Sequence, residues 1–145
     1  MRTYVKANKL YHLSEINLND VQLLPRIPDN FMTRNNYENN TTKRISFSTS
    51  IDGALTGISS NLDNKTFYIH EPSDYSKLII KQITNDDVPD QKLTNEIWVL
   101  NPTKLKLIGK IKVINSQSKI YKYKYGEFTA ETYRWNYIKL ENEEN

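Results

Sequence analysis

The chain has 145 residues and a net charge of +3, which is the size of one domain and too weakly basic to indicate a dedicated nucleic-acid binder. It contains no cysteine, which excludes a disulfide scaffold, and its two histidines exclude a three-histidine zinc site. Near the start we find no apolar run of the kind a signal peptide carries, and no stretch approaches the length of a membrane span. We therefore expect a cytoplasmic protein without membrane association.

The N-terminal third mixes short strand patterns with one helical pattern. Residues 10–14 and 45–48 have the alternation of apolar and polar side chains that is typical of half-buried strands. Residues 20–24, which Pro25 follows, have the length of one helical turn. A helix over residues 51–59 is predicted by apolar side chains at helical spacing, at Ile51, Ala54, Leu55 and Ile58. Ser50 stands where it can cap that helix.

The second half reads as a series of strands. Residues 66–70, 78–80 and 96–100 are short runs rich in β-branched, aromatic and other apolar side chains. In residues 104–113, apolar residues at odd positions alternate with lysines, which predicts a strand with one apolar and one basic face. Tyrosine and tryptophan then alternate with polar residues on both sides of Gly126, as in a C-terminal hairpin with an aromatic face.

These elements predict an α+β, mostly-β fold of two packed antiparallel sheets with one or two short helices. The pattern runs without a linker or repeat from residue 1 to residue 140, which favours a single domain. Residues 141–145 form an acidic tail that we expect to be frayed. Many asparagines and lysines are typical of AT-rich genomes, which suggests a bacterial or phage source.

Three polar positions on predicted strands stand out as candidates for chemistry. His12 lies in the first strand, a run of serines and one threonine follows the second, and Glu96 begins an apolar strand. A carboxylate that begins an apolar strand is unusual, because burying a carboxylate is costly unless it is paired or used. Glu96 is therefore the first candidate for a catalytic residue.

The order of these positions resembles the ADP-ribosyltransferase family. The run Leu-Tyr-His-Leu-Ser at residues 10–14 is similar to the first-strand motif of the histidine-tyrosine-glutamate class. Residues 45–55, Ile-Ser-Phe-Ser-Thr-Ser followed by Ile-Asp-Gly-Ala-Leu, resemble its second motif, a strand that continues into a helix under the nicotinamide. Residues 95–101 and the strand after them resemble its glutamate strand and the next. The resemblance implies that NAD is the substrate and that no metal is needed.

The resemblance also implies roles for individual residues. His12 and Ser14 would hydrogen-bond the adenosine ribose of NAD. Glu96 would bind the nicotinamide ribose and stabilise the positive charge that develops on it as nicotinamide leaves. The second motif would contribute contacts to NAD from Ser46, Ser48 and Thr49. A further contact is expected from the segment between Pro25 and Pro28, where Arg26 could clamp the pyrophosphate; Arg44 is a second candidate for that contact.

Two positions depart from the family pattern. Ser46 stands nearest to the place of the tyrosine that stacks on nicotinamide, and a serine cannot stack. The serine-threonine-serine run at residues 48–50 is similar instead to the arginine-serine-glutamate toxin class. That class carries glutamate or glutamine two residues before its catalytic glutamate, and Thr94 stands there, which argues against arginine as the acceptor.

Three functions are compatible with these observations. The first is an NAD-dependent ADP-ribosyltransferase that modifies a host protein or a nucleic acid. The second is an inactive binding module on the same scaffold, either a phage inhibitor of a bacterial defence protein or a sponge for an NAD-derived nucleotide. The third is single-stranded nucleic-acid binding through the tyrosine and lysine residues of the C-terminal hairpin.

Overall fold

The computed structural model describes residues 9–27, 41–58, 61–81, 95–125 and 128–140, and between 116 and 134 it describes the backbone alone. Within these ranges the protein is mostly β, with eight strands in two antiparallel sheets and one α-helix, which confirms the predicted fold class at this level. The strands are β1 His12–Ser14, β2 Gln22–Leu23, β3 Ile45–Ser48, β4 Thr66–Pro72, β5 Ile80–Lys81, β6 Glu96–Val99, β7 Thr103–Tyr125 and β8 Phe128–Lys139. The helix, α1, is Ile51–Ile58, and a single 3₁₀ turn covers Tyr75–Lys77.

The first sheet is organised around β7, the longest strand. Its N-terminal end pairs with β2, its middle pairs with β4, and its C-terminal part pairs with β8. The short strand β1 pairs with the far side of β4, so that His12 lies opposite His70. The predicted C-terminal hairpin is confirmed for the backbone, because Tyr125 pairs with Phe128 at its end.

The second sheet has the order β3-β6-β5, and both of its ladders are antiparallel. The two sheets meet where Tyr11 and Ser48 form a bridge, with backbone N···O distances of 2.8 and 3.0 Å. A second bridge joins Arg26 to Arg44 just before β3. These two bridges bring the strand that carries His12 and the segment that carries Arg26 to the two ends of β3.

A β-bulge divides β7 into two parts, and residues at odd positions point to one side of the sheet before the bulge and to the other side after it. Ile69 pairs with Gly109 but the next residue of β4, His70, pairs with Leu107, so that Ile108 is the extra residue of β7. Paired residues share a face of the sheet, and one extra residue exchanges the faces of every residue beyond it. The prediction of one apolar face along residues 105–113 is therefore wrong, and Lys104 and Lys106 lie on the opposite face from Lys110 and Lys112.

The exchange of faces lets β7 contribute to two hydrophobic cores. Ile111 and Val113 pack with α1, β4 and β8 in a first core, which also contains Leu55, Leu62, Phe67, Ile69 and Trp135. Leu105 packs in a second core with side chains of both sheets, namely Leu10, Ile45, Phe47, Ile97 and Val99. The second core therefore holds the two sheets together, and at about 25 cal/mol per Å² its buried apolar area is a major stabilising contribution.

The helical turn predicted over residues 20–24 is wrong. Asp20 has a φ of 66°, in the left-handed region, which ends any right-handed helix at that residue. The chain then pairs with β7. The Asp20 N–H donates to the Leu105 carbonyl and the Leu105 N–H donates to the Val21 carbonyl, and both N···O distances are 2.9 Å. Pairing along an available strand edge outweighed the local helical pattern.

The helix α1 forms where the sequence predicts it, up to the last described residue of that stretch. The Ser50 Oγ accepts a hydrogen bond from the Gly53 N–H at 2.9 Å, as expected of a capping serine. The buried Leu55 faces the first core, and Thr56 accepts a hydrogen bond from the indole of Trp135 on β8. The helix is thereby attached to the first sheet on one side and leaves its other side to the pocket described below.

Several expectations lie outside the described residues. They concern Thr94 and the tail at 141–145. Nothing is described of the tyrosine side chains at 121–133 of the hairpin. In the part of the chain that is described, no helix is long and apolar enough to cross a membrane.

Candidate functional site

A pocket of about 460 Å³ opens where the two sheets meet. Its walls are the start of β1, the strand β3, the start of β6, one side of α1 and the segment 23–26. This volume is within the range of sites that bind small molecules and cofactors. The pocket therefore lies at the junction between sheets, where side chains from distant parts of the chain converge.

Six of the eight residues singled out from the sequence line this pocket: His12, Arg26, Arg44, Ser46, Ser48 and Glu96. They come from four separate elements, and their convergence depends on the Tyr11–Ser48 and Arg26–Arg44 bridges. Ser14 and Thr49 are not among the lining residues. The Ser14 Oγ accepts a hydrogen bond from the Ile16 N–H in a local turn, whereas the Thr49 N–H donates to the Asn95 carbonyl and links the end of β3 to the start of β6.

The Glu96 carboxylate is held by two donors on the sheet. Its Oε2 accepts a hydrogen bond from the Ser46 hydroxyl at 2.7 Å and from the indole Nε1 of Trp98 at 2.9 Å. Ser46 pairs with Trp98 across β3 and β6, so all three groups lie on the face of the second sheet that points away from the second core. A carboxylate fixed by strand residues is well suited to stabilise positive charge on a bound sugar.

His12 is held as a neutral imidazole. Its ring lies edge-on to Phe47, with centroids 5.9 Å apart, and to His70 at 6.3 Å. Burial, followed by the proximity of His70, lowers the pKa of His12 from 6.5 to about 4. Its Nδ1 is buried and has no hydrogen-bond partner among the described residues. Near pH 7 the ring is therefore uncharged.

His70 fixes the position of the strand that carries His12. The His70 Nε2 accepts a hydrogen bond from the Leu18 N–H at 2.9 Å, so its proton is on Nδ1, which donates to the His12 carbonyl at 3.1 Å. The ring is fully buried, and burial lowers the pKa of His70. The second histidine is thus a structural element of the site, although it lies on a strand as the first does.

The two arginines of the pocket differ in setting. Arg44 is 2% exposed, its guanidinium lies 4.1 Å from the ring centroid of Trp98, and its Nη1 donates to the Thr42 carbonyl at 3.0 Å. Arg26, whose backbone is bridged to that of Arg44, is exposed and also lines the pocket. A phosphate can reach an exposed arginine from solvent and form a bidentate pair with it, whereas Arg44 is buried against an aromatic ring. Arg26 is therefore the better placed of the two for a phosphate group.

The remaining walls are small or apolar side chains that sequence reasoning did not select. The side of α1 that faces the pocket contributes Gly53, Ala54 and Gly57, whose small size leaves room close to the helix. Leu24 and Ile58 also line the pocket and are 66% and 46% exposed, which makes an apolar rim. The spacing of the two glycines on one side of a helix is the signal that could have indicated a ligand wall.

Asn95 connects the carboxylate to the helix. Its φ of 55° lies in the left-handed region, and its side-chain amide donates to the Ser50 Oγ at 3.0 Å. Its carbonyl accepts from the Thr49 N–H at 3.1 Å. The residue immediately before Glu96 is therefore anchored to the cap of α1, which fixes where β6 begins.

The described residues contain no group of three or more histidine, aspartate or glutamate side chains that could hold a metal ion. Their arrangement instead offers one fixed carboxylate, one neutral imidazole, one exposed arginine and several hydroxyls around a cavity. No protein-family model, no curated protein and no solved structure matches the chain. The functional argument therefore depends on the chain's own residues.

Proposed function

We propose that the protein is an NAD-dependent ADP-ribosyltransferase whose catalytic residue is Glu96. The observation that carries this proposal is the convergence of Glu96, His12 and Arg26 on one pocket from three separate parts of the chain. The family that the sequence resembles uses a histidine and a glutamate from the corresponding strands. The convergence supports the proposal, because these residues lie far apart in the sequence.

The chemistry of the pocket fits the parts of NAD. Cleavage of the bond between nicotinamide and ribose builds positive charge on the sugar, and a fixed carboxylate lowers the barrier to that step. Glu96 is oriented for this role by the Ser46 and Trp98 hydrogen bonds. Arg26 offers a positive charge to the pyrophosphate, and the neutral His12 offers a hydrogen bond to a ribose hydroxyl.

The experiment is a measurement of nicotinamide release from NAD by the full chain, alone and with cell lysate that supplies acceptors. Glu96→Gln keeps the size and one acceptor oxygen but removes the charge, so we expect release to fall by about 100-fold or more. Glu15→Gln is the matched control, because Glu15 is 60% exposed and pairs only loosely with Lys65 at 3.9 Å. Equal and negligible release by the wild type and Glu96→Gln contradicts the proposal.

One observation favours a second function, an inactive module that binds an NAD-derived nucleotide. The position of the family's stacking tyrosine holds Ser46, whose hydroxyl donates to Glu96. Calorimetry with NAD and ADP-ribose separates the two functions. Tight binding of ADP-ribose without release of nicotinamide supports the binding module, and turnover of NAD excludes it.

A further inference from the structure

Ser46 and Glu96 together have the arrangement of a nucleophile and its base. Ser46 is exposed, lines the pocket, and donates its hydroxyl proton to the Glu96 Oε2 at 2.7 Å. A carboxylate that accepts from a hydroxyl is positioned to remove its proton when the oxygen attacks an electrophile. The pocket therefore contains an acceptor hydroxyl of its own, in addition to the carboxylate.

We propose that Ser46 is a self-modification site, to which the protein transfers ADP-ribose from NAD. This inference rests on the proposed function. The Ser46 Oγ forms a bond to the anomeric carbon of the nicotinamide ribose while the bond from that carbon to the pyridinium nitrogen breaks. The electron pair of the broken bond leaves with nicotinamide, which becomes neutral, and the Glu96 carboxylate takes the hydroxyl proton.

The stereochemistry of NAD favours this acceptor. Nicotinamide and the 2′-hydroxyl of its ribose are on opposite faces of the sugar ring. A carboxylate that binds the 2′-hydroxyl therefore lies on the face from which an in-line nucleophile must approach. The hydroxyl of Ser46 is bound to that same carboxylate, so it starts on the reactive face, and such proximity is worth several orders of magnitude in rate.

Neighbouring hydroxyls do not share these properties. Ser48 pairs with Glu96 across the strands, but it is 4% exposed and its hydroxyl donates to the Ser50 carbonyl at 2.9 Å. The Ser50 Oγ accepts from the Gly53 N–H in the helix cap. Ser46 combines exposure with a hydrogen bond to the carboxylate, and we infer that the modification is selective for it.

The experiment incubates the full-length chain with NAD and measures two quantities, released nicotinamide and the intact mass of the protein. We expect a mass increase of one ADP-ribosyl group, mapped to Ser46 by fragmentation of the peptide that contains it. The link is an acetal to a serine oxygen, so it should survive hydroxylamine, which removes ADP-ribose esters of carboxylates. Ser46→Ala should lose the adduct, Ser46→Thr should retain part of it, and Ser73→Ala, at an exposed turn, should be modified like the wild type.

The two measurements separate the failure of this inference from that of the proposed function. Release of nicotinamide without an adduct, or with an adduct on another residue, overturns self-modification at Ser46 and leaves the enzyme proposal standing. An adduct that persists in Ser46→Ala also overturns it. If the wild type releases no nicotinamide, both proposals fail together.

Discussion

Asn95 donates a hydrogen bond from its side-chain amide to the hydroxyl of Ser50, over a distance of 3.0 Å. Asn95 immediately precedes Glu96, and Ser50 caps α1. The start of β6 is thereby connected to the cap of α1 through a side-chain contact, beside the backbone bond from the Thr49 N–H to the Asn95 carbonyl. A shift of either element would move the carboxylate relative to the helix.

Substitution of Asn95 should separate the contribution of its side chain from that of its backbone. Asn95→Gly keeps the left-handed backbone and removes the hydrogen bond, and should lower the free energy of unfolding by about 0.5–1.5 kcal/mol. Asn95→Ala also has to adopt the positive φ, which costs about a further 1–2 kcal/mol. Chemical denaturation of both variants measures the difference, and equal stability of the two contradicts a left-handed conformation at this position.

Protonation of His12 should destabilise the fold in mild acid. Its pKa is about 6.5 in the unfolded chain and about 4 in the folded protein, so between these pH values the unfolded state binds more protons. The free energy of unfolding should therefore fall as the pH decreases below about 6.5, by up to about 1.4 kcal/mol per pH unit for this group. Urea unfolding at pH 7 and pH 5 measures the change.

The His12→Gln variant is the control for that pH dependence. It retains a polar side chain in the pocket but cannot take up the proton, and all other acidic and basic groups are common to the two proteins. The wild type should lose more stability than the variant between pH 7 and pH 5. Identical losses would show that His12 is not held neutral by its surroundings.

The hydroxyl of Tyr75 connects the strand β4 to the chain before β1. It accepts from the Leu10 N–H at 2.9 Å and donates to the Glu71 Oε1 at 3.1 Å, and burial raises the pKa of Tyr75 to about 12. Glu71 is 8% exposed, and its other oxygen lies 3.6 Å from the Lys106 Nζ. The hydroxyl therefore satisfies a backbone donor and a buried carboxylate together.

Tyr75→Phe should accordingly lower the free energy of unfolding by about 1–3 kcal/mol, because it removes one partner from each of two groups. Tyr68→Phe is the comparison, because the Tyr68 ring, and not its hydroxyl, contacts the Lys110 ammonium, which lies 5.2 Å from the ring centroid. That variant should change stability by less than about 0.5 kcal/mol. Thermal and urea unfolding of the two variants side by side test the difference.

Under the proposed function, Arg26 should determine affinity for the pyrophosphate. Arg26→Ala should weaken binding of ADP-ribose by about tenfold or more, since a hydrogen bond to a charged group contributes about 1.5–3 kcal/mol. Binding of nicotinamide riboside, which lacks phosphate, should not change. Lys43→Ala removes an exposed charge near β3 and is the control for general electrostatics. Equal losses for both variants in calorimetry contradict a specific contact.

Short, strongly patterned elements were predictable from the sequence. Strand β3, strand β6 and the helix α1 occur where the sequence predicts them, since β3 and α1 each bury an apolar face and β6 is an apolar run that is buried on both faces. The turn at Asp20 was not predictable, because a left-handed aspartate and the edge of a distant strand decided its conformation. Local propensity is a weak guide where long-range pairing competes with it.

The candidate site was partly predictable for the same reason. His12 and Glu96 have unusual settings in their own strands, and both line the pocket. Asn95 acts through a hydrogen bond to a residue 45 positions away in sequence, which no local pattern reveals. Leu24, which belongs to the apolar rim, comes directly after the strand β2. The sequence pattern predicts a helical turn at this point, so the position of Leu24 at the pocket could not be inferred.

The bulge at Ile108 has a consequence for how the length of β7 can vary. The residues on its two sides face different cores, so the number of residues between them determines which core each side chain enters. Deletion of Ile108 would remove the bulge and keep the pairs Gly109–Ile69 and Leu107–His70, so Leu105 and Ile111 would both stay in their cores, whereas removal of two adjacent residues would shift the pairing of one part of the strand. Deletion of one residue at the bulge should therefore be tolerated better than deletion of two.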